Sequence, residues 1–141
     1  MRHSWLVPLA ILAACDASPS NPNAQQTGKD EFSVKYGREV IVPGTVAMLA
    51  FEQVTHESRC PADVVCIWEG QVTLRLGVTI GDGPTTSLEV TLRAGMSEPV
   101  TIQGVTLRLF RVDPYPIASA PHELEDYVAF FRVGAAEAAS N

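Results

Sequence analysis

Apolar and polar residues alternate one by one through much of this chain, and the clearest case is QVTLRLGVTI at 71–80. The apolar members of that run are Val72, Leu74, Leu76, Val78 and Ile80. A period of two puts one face of a strand in a core and the other in solvent, whereas a helix would spoil every second contact. The turn residues GDGP at 81–84 lead into a second alternating run, TSLEVTL at 86–92. The two runs predict an antiparallel hairpin.

Further short runs have the composition of strands and are separated by turn residues. They are EVIV at 39–42, VAMLAFEQV at 46–54, VTI at 100–102, VTLRLFRV at 105–112 and YVAFFRV at 127–133. The run at 46–54 opens with six apolar residues, which predicts a strand buried on both faces. No run has helical periodicity. Many short strands with turns about every ten residues predict an all-β fold, an antiparallel β-sandwich or alternatively a small β-barrel.

The first fourteen residues, MRHSWLVPLAILAA, have the pattern of an export signal. Arg2 precedes an apolar run that is about half the roughly 20 residues needed to span a bilayer as a helix. The run ends in Leu-Ala-Ala-Cys at 12–15, which resembles the signal of bacterial lipoproteins. In those proteins the cysteine is acylated and becomes the mature N-terminus. The alternative is an ordinary secretory signal followed by a chance cysteine.

Acylation of Cys15 would anchor the protein in a membrane, because two or three acyl chains hold stably where a single chain holds only marginally. This predicts a lipoprotein of the cell envelope that faces the periplasm or the exterior. Asp16 follows the acylated position, and that residue type resembles an inner-membrane retention signal. The cysteine count agrees with this interpretation, since three is odd and lipid on Cys15 leaves Cys60 and Cys66 as a pair.

The remaining chain divides into a tether, one domain and a tail. Residues 15–31 combine the acylated cysteine with a flexible tether that has no large apolar side chain before Phe32. The β-sandwich domain is predicted over 32–133, and a disordered tail over 134–141. The chain carries a net charge of −6. Such an acidic chain lacks the basic surface that nucleic acid requires, so its membrane contact is expected to come from the lipid on Cys15 alone.

Two of the cysteines, Cys60 and Cys66, lie close together in the sequence and admit three explanations. A structural zinc site needs four Cys or His ligands, and it would have to recruit both His56 and His122. Thioredoxin-like redox chemistry needs two intervening residues at a helix N-terminus, which this spacing does not give. In an exported chain a disulfide is the expected outcome, and it would pin the loop between two strands. The sequence therefore predicts a short-range disulfide, with no metal and no cofactor.

The segment SRCPADVVCIWEG at 58–70 resembles a motif of small exported bacterial proteins, many of them predicted lipoproteins. The motif is Ser-Arg-Cys-Pro followed by Val-x-Cys-x-Trp-x-Gly. The segments PYP at 114–116 and DYVAFFRV at 126–133 fit the same resemblance. Members of that group often have Asp and Ala where this chain has Glu57 and Glu69. The resemblance implies export and a β fold, and it implies no activity.

No nucleophile elbow, phosphate-binding loop or zinc-protease motif occurs in the sequence. The favoured function is a non-enzymatic binding or structural module of the envelope, with an envelope protein as the expected partner. The alternative is an envelope enzyme or metal-dependent protein that uses His122 or the carboxylates near the disulfide. Those carboxylates are Glu52, Glu57, Asp63 and Glu69.

Two aromatic residues in stiffened loops are the candidates for a contact face. Trp68 follows the cysteine pair, and Tyr115 lies between two prolines that bias it toward an extended backbone. Tyr and Trp are favoured anchors at interfaces. The competing explanation is packing, in which Trp68 covers the disulfide and Tyr115 caps one end of the fold.

Overall fold

The computed structural model describes residues 30–135. The predicted signal peptide at 1–14, Cys15, Asp16, all but the end of the tether and the tail from 136 onward lie outside the described residues. Within 30–135, all the predicted strands are present, and the sole helical element is one 3-10 turn, Leu124–Asp126. No helix in this part of the chain is long and apolar enough to cross a membrane.

Eight strands make up the fold. In chain order they are β1 Glu31–Lys35, β2 Glu39–Ile41, β3 Ala47–Glu57, β4 Gln71–Ile80, β5 Thr85–Arg93, β6 Val100–Ile102, β7 Val105–Asp113 and β8 Val128–Ala135. Strand β1 was not predicted, because only Phe32 and Val34 carry its alternation. Since β1 begins at Glu31 and β8 ends at Ala135, the folded region extends slightly beyond the expected domain of 32–133.

The strands form two four-stranded antiparallel sheets that pack against each other. One sheet has the order β1-β8-β7-β6 and the other has the order β2-β3-β4-β5. The sandwich prediction is therefore confirmed. The alternative of a small barrel is not adopted by residues 30–135, since the strands of the two sheets do not join into one closed ladder.

The core fills the space between the inner faces of the sheets. Strand β4 contributes four of its five predicted alternate positions, since Ile80 at its end is exposed. The Phe32 and Phe131 rings stack across β1 and β8 with their centroids 5.5 Å apart. The largest fully buried side chains are Phe32, Phe51, Phe131, Leu49, Leu74, Leu76, Leu109, Val34, Val40, Val42, Val72 and Val112. Interdigitated apolar packing of this kind is the main source of the stability of such a domain.

The prediction that β3 is buried on both faces is wrong. Ala47, Leu49 and Phe51 are buried, whereas Met48 and Ala50 between them keep part of their surface exposed. A sandwich has only two layers, so the outer face of each sheet meets water rather than a third layer. The outer face of β3 therefore carries apolar residues that are not fully buried.

The two ends of the sandwich differ in which connections they carry. The disulfide end carries the connections at 36–38, 58–70, 94–99 and 114–127. The register of β1 with β8 places Lys35 beside Val128 at this end, and Glu31 beside Arg132 toward the other end. The chain therefore enters the domain at the end opposite the disulfide.

Candidate functional site

A disulfide closes the loop between β3 and β4. The Cys60 and Cys66 sulfurs are 2.17 Å apart and their Cα atoms are 5.8 Å apart, which confirms the predicted pair. At the base of the loop, the backbone N–H of Ser58 donates to the Gln71 carbonyl oxygen at 2.8 Å, and that of Cys60 donates to Glu69 at 3.0 Å. These bonds continue the β3–β4 ladder into the loop, so the ring closed by the disulfide stands on a paired backbone.

Gly70 is required where the loop returns to β4. Its φ of +71° lies in the left-handed region, and a Cβ there would lie well inside contact distance of the Ser58 carbonyl oxygen. The glycine of the Trp-x-Gly motif thus has a structural reason, which is the close passage of two backbone segments at the base of the loop.

The loop is fastened to β7 by a buried arginine. Only 8% of Arg59 is exposed, and its Nη1 donates to the Val112 carbonyl oxygen at 2.6 Å. Its Nη2 donates to the Pro114 carbonyl oxygen at 3.2 Å and forms an ion pair with Glu57 at 2.6 Å. Buried cations are stable only when paired and hydrogen-bonded, and this guanidinium has both kinds of partner.

Tyr127 completes the cluster around the ion pair. Its hydroxyl donates to Glu57 Oε2 at 3.3 Å. Burial, reinforced by the Glu57 carboxylate, raises the pKa of Tyr127, so the hydroxyl stays protonated and able to donate. The four residues of this cluster thus join the ends of β3, β7 and β8: Glu57, Arg59, Val112 and Tyr127.

Asp63 ties the disulfide loop to the loop that follows β7. Its carboxylate accepts the backbone N–H groups of Ala118 at 2.7 Å and Ser119 at 3.0 Å. These bonds, that from Ala118 first, lower the pKa of Asp63 to about 2. The backbone N–H of Ala62 also donates to the Pro116 carbonyl oxygen at 2.9 Å. The two loops identified in the sequence as stiffened therefore form one bonded unit.

The disulfide loop turns its apolar side chains toward solvent. Val65 is fully exposed, Ile67 is 95% exposed and Trp68 is 81% exposed. We call the apolar residues of the two joined loops the disulfide-end surface: Val64, Val65, Ile67, Trp68, Tyr115 and Ile117. The alternative in which Trp68 covers the disulfide is wrong, because so little of its surface is covered by anything.

Tyr115 is partly packed and partly open. It is 49% exposed, and the Arg59 guanidinium carbon lies 5.1 Å from its ring centroid, within the range of a cation–π contact. The packing expected of a cap is therefore present on one half of the ring only. The ring is oriented by Arg59 while half of its surface remains available for contact.

The residues of the enzyme or metal alternative do not come together. The Nε2 atom of His122 lies 2.9 Å from the Tyr115 carbonyl oxygen, and Asp126 accepts the backbone N–H of Glu123. Among the nearby carboxylates, Glu57 pairs with Arg59, Asp63 binds the next loop, and Glu52 faces Ser87 Oγ at 3.5 Å. Within residues 30–135, no three His, Cys, Asp or Glu side chains are grouped as metal ligands would be.

A shallow cleft of about 500 Å³ adjoins the disulfide-end surface. Its wall includes Tyr115, Arg59, Glu69, Phe110 and Gly95, so it is continuous with the exposed loop residues. The mixture of apolar and charged groups resembles the edge of a protein-binding patch more than an enclosed catalytic pocket.

Comparison of the chain with protein-family models, with curated proteins and with solved structures found no match. The site is therefore defined by its own geometry. Sequence reasoning identified Trp68 and Tyr115 but missed Arg59, Val65 and Ile67. The sequence around Arg59 gives no indication that this arginine is buried. The apolar Val-Val-Cys-Ile run at 64–67 predicts inward packing, because apolar side chains are usually buried, and its exposure was therefore not predicted.

Proposed function

We propose that this protein is a lipid-anchored module of the cell envelope that binds a partner protein, without enzymatic activity of its own, through the disulfide-end surface. The observation that carries the proposal is the exposure of Val65, Ile67 and Trp68 on a loop that is held by a disulfide, by Arg59 and by Asp63. Contiguous exposed apolar side chains on a soluble domain mark interaction surfaces.

The rigidity of the loops favours binding. A loop that is already ordered loses less conformational entropy when it binds, so more of the contact energy appears as affinity. Here the order comes from the disulfide, from Arg59 and from Asp63. Aromatic residues held in this way are the usual energetic centres of protein interfaces.

The predicted anchor would direct this surface away from the membrane. The chain enters the domain at the end opposite the disulfide, and β4, which runs between the two ends, is ten residues or roughly 33 Å long. A flexible tether of sixteen residues, as predicted from the sequence, would have an end-to-end distance of roughly 20–25 Å. The tether would have to run back along the whole domain for the disulfide end to touch the anchoring membrane. A partner on the side of the domain that faces away from that membrane is therefore favoured.

The charge around the disulfide-end surface limits the kind of partner protein that can bind there. The segments 55–70 and 113–127 hold seven Asp or Glu residues and one arginine. An acidic rim around an apolar centre is complementary to a basic rim around an apolar pocket, and it is repelled by anionic lipid headgroups. The partner is therefore a protein with a basic patch bordering an apolar cleft.

The anchoring half of the proposal is tested by fatty-acid labelling. Cells expressing the full chain and fed a labelled fatty acid should label the wild type and should not label Cys15→Ser. Equal labelling of both would contradict the lipid anchor while leaving the contact surface untouched.

The binding half is tested by site-specific photo-crosslinking in cells. A photoreactive residue at Trp68 should capture a discrete partner, and the same residue at Val46 should not. Val46 is a matched control because it is 67% exposed and lies next to the start of β3, at the opposite end of the sandwich. Identical crosslinks from both positions, or crosslinks to lipid alone from Trp68, would contradict the proposal.

A further inference from the structure

A second feature lies on the side of the sandwich between β5 and β7, outside the disulfide-end surface. A groove of about 640 Å³ runs between residues 93–98 and the outer face of β7 and β8. Its polar wall includes Arg93, Arg108 and Arg132, together with Glu98. The groove is therefore locally basic although the whole chain has sixteen acidic and ten basic residues.

Two of these arginines lie side by side on neighbouring strands. Arg108 on β7 pairs in register with Arg132 on β8. Like charges at directly opposed strand positions repel and destabilise the pairing. Arg132 is compensated by Glu31, because its Nε and Nη2 donate to Glu31 Oε1 at 3.1 Å and 2.7 Å, which leaves its Nη1 for a further ligand. Arg108 has no ion pair or side-chain hydrogen bond with any residue of 30–135.

The other donors of the groove are held in place. The Arg132 guanidinium carbon lies 4.8 Å from the centroid of the Phe110 ring, which fixes its plane against the strand. The Nε of Arg93 donates to Gln71 Oε1 at 3.1 Å. Two oriented guanidinium groups and one unpaired one therefore line the same groove beside an aromatic ring.

We propose that this arginine groove binds an oxyanion, a carboxylate or phosphate group, that bridges Arg108 and Arg132. Guanidinium forks match the geometry of carboxylate and phosphate oxygens and bind them through paired hydrogen bonds. A bound oxyanion would also remove the repulsion between the two opposed arginines. The source of the oxyanion is either a free small anion or an anionic lipid headgroup, and the test separates the two.

The test measures the melting temperature of the purified mature chain in sodium phosphate and in sodium citrate, against sodium chloride at equal ionic strength. A ligand that binds the folded state raises the melting temperature. Arg108→Gln should weaken the anion-dependent rise roughly tenfold in apparent affinity, because a charge-assisted pair of hydrogen bonds is lost. Without anion, the same substitution should raise the melting temperature, since it relieves the like-charge pair.

Two further variants make the result specific. Arg75→Gln removes the same charge from the other sheet, where Arg75 pairs with Glu89, and should leave the anion response unchanged. Glu98→Gln removes the one carboxylate that lines the groove and should tighten anion binding. An equal loss of the anion-dependent rise in melting temperature in Arg108→Gln and Arg75→Gln would count against the proposal, and so would the absence of that rise in the wild type. Either result would overturn it unless binding to anionic vesicles depends on Arg108.

Vesicles of phosphatidylglycerol, with phosphatidylcholine vesicles as control, identify the source of the oxyanion. Arg108-dependent binding to phosphatidylglycerol without a response to free phosphate would assign the headgroup, and the reverse result would assign a small anion. Binding to neither probe in an Arg108-dependent manner would overturn the proposal. Partner crosslinking at Trp68 is read separately, so failure of the groove leaves the proposed function intact.

Discussion

The interior of the sandwich and its disulfide end are built in opposite ways. Between the sheets, apolar side chains such as Phe51 and Leu74 are buried. At the disulfide end the cation of Arg59 is buried against the partly exposed carboxylate of Glu57, while Ile67 and Trp68 are exposed to solvent. The interior derives its stability from the removal of apolar surface from water, and the end derives its shape from a disulfide, an ion pair and hydrogen bonds.

This difference shows how a small domain keeps an apolar surface exposed without collapsing it. Apolar loop residues would gain free energy by folding back onto the core, so something must hold them out. Here Arg59 fastens the loop to the β7 backbone, Asp63 fastens it to the next loop, and Cys60–Cys66 shortens it. Polar interactions thus fix the geometry, and the apolar side chains are left available for contact.

The comparison is sharpest for large-to-small substitutions. Phe51→Ala should lower the free energy of unfolding by about 4 kcal/mol, because it leaves a cavity in a fully buried site. Trp68→Ala removes an even larger side chain from the disulfide-end surface and should change stability by less than about 0.5 kcal/mol. Urea unfolding of both variants measures the difference. A large loss in Trp68→Ala would mean that the indole packs against the domain.

The ion pair between buried Arg59 and partly exposed Glu57 should have the next largest effect. Glu57→Ala leaves the Arg59 cation buried without its carboxylate, and we expect a loss of about 3 kcal/mol. Glu89→Ala is the matched control, since its partner Arg75 is exposed and such pairs contribute about 0–1 kcal/mol. Equal effects in the two variants, measured by chemical unfolding, would contradict the role given to Arg59.

The disulfide should contribute less than the ion pair. Replacing both Cys60 and Cys66 by Ala should cost about 2 kcal/mol, because the ring closed by the bridge is short. The purified protein should also show no titratable thiol from this pair until it is denatured and reduced. Two free thiols in the native protein would contradict the bond between the Cys60 and Cys66 sulfurs.

The Asp63 carboxylate gives the smallest and most local effect, and it depends on pH. Its pKa is lowered to about 2 in the folded state from an ordinary value of 3.8, so the ionised form is favoured by folding. The contribution is complete above pH 3.8 and is lost as the pH falls toward 2. The protection factors of the Ala118 and Ser119 amides, which are NMR exchange rates compared with the intrinsic rate at each pH, should fall over that interval, and Asp63→Asn should remove this fall. Unchanged protection in the wild type would contradict the tie between the loops.

The sequence predicted the interior far better than it predicted the end. The period-two alternation at 71–80 corresponds to alternating buried and exposed positions along a strand. Such patterns therefore predicted the strands and, from them, the sandwich. The cysteine pair also followed, because proximity and export chemistry leave few alternatives. The burial of Arg59 depends on carbonyl oxygens of Val112 and Pro114, more than fifty residues away, and nothing local encodes that contact.

The arginine groove could not be predicted from the sequence either, because it is also formed by residues that are distant along the chain. Arg93, Arg108 and Arg132 are far apart along the chain and come together only through the register of β7 with β8 and the return of the β5–β6 connection. A negative net charge describes the whole chain and gives no information about such a local cluster. The error about the two-sided burial of β3 has a related origin, since composition alone does not reveal how many layers a fold will have.

Fluorescence of the Trp68 indole measures directly whether the disulfide end presents this residue to solvent on a fixed loop. In the full chain carrying Trp5→Phe, Trp68 is the sole tryptophan. We expect the native protein to emit at the long wavelength of a water-exposed indole, iodide to quench it efficiently, and unfolding in urea to shift the emission maximum very little. A blue-shifted native emission, protected from iodide and moving to longer wavelength on unfolding, would show instead that Trp68 is packed against the domain.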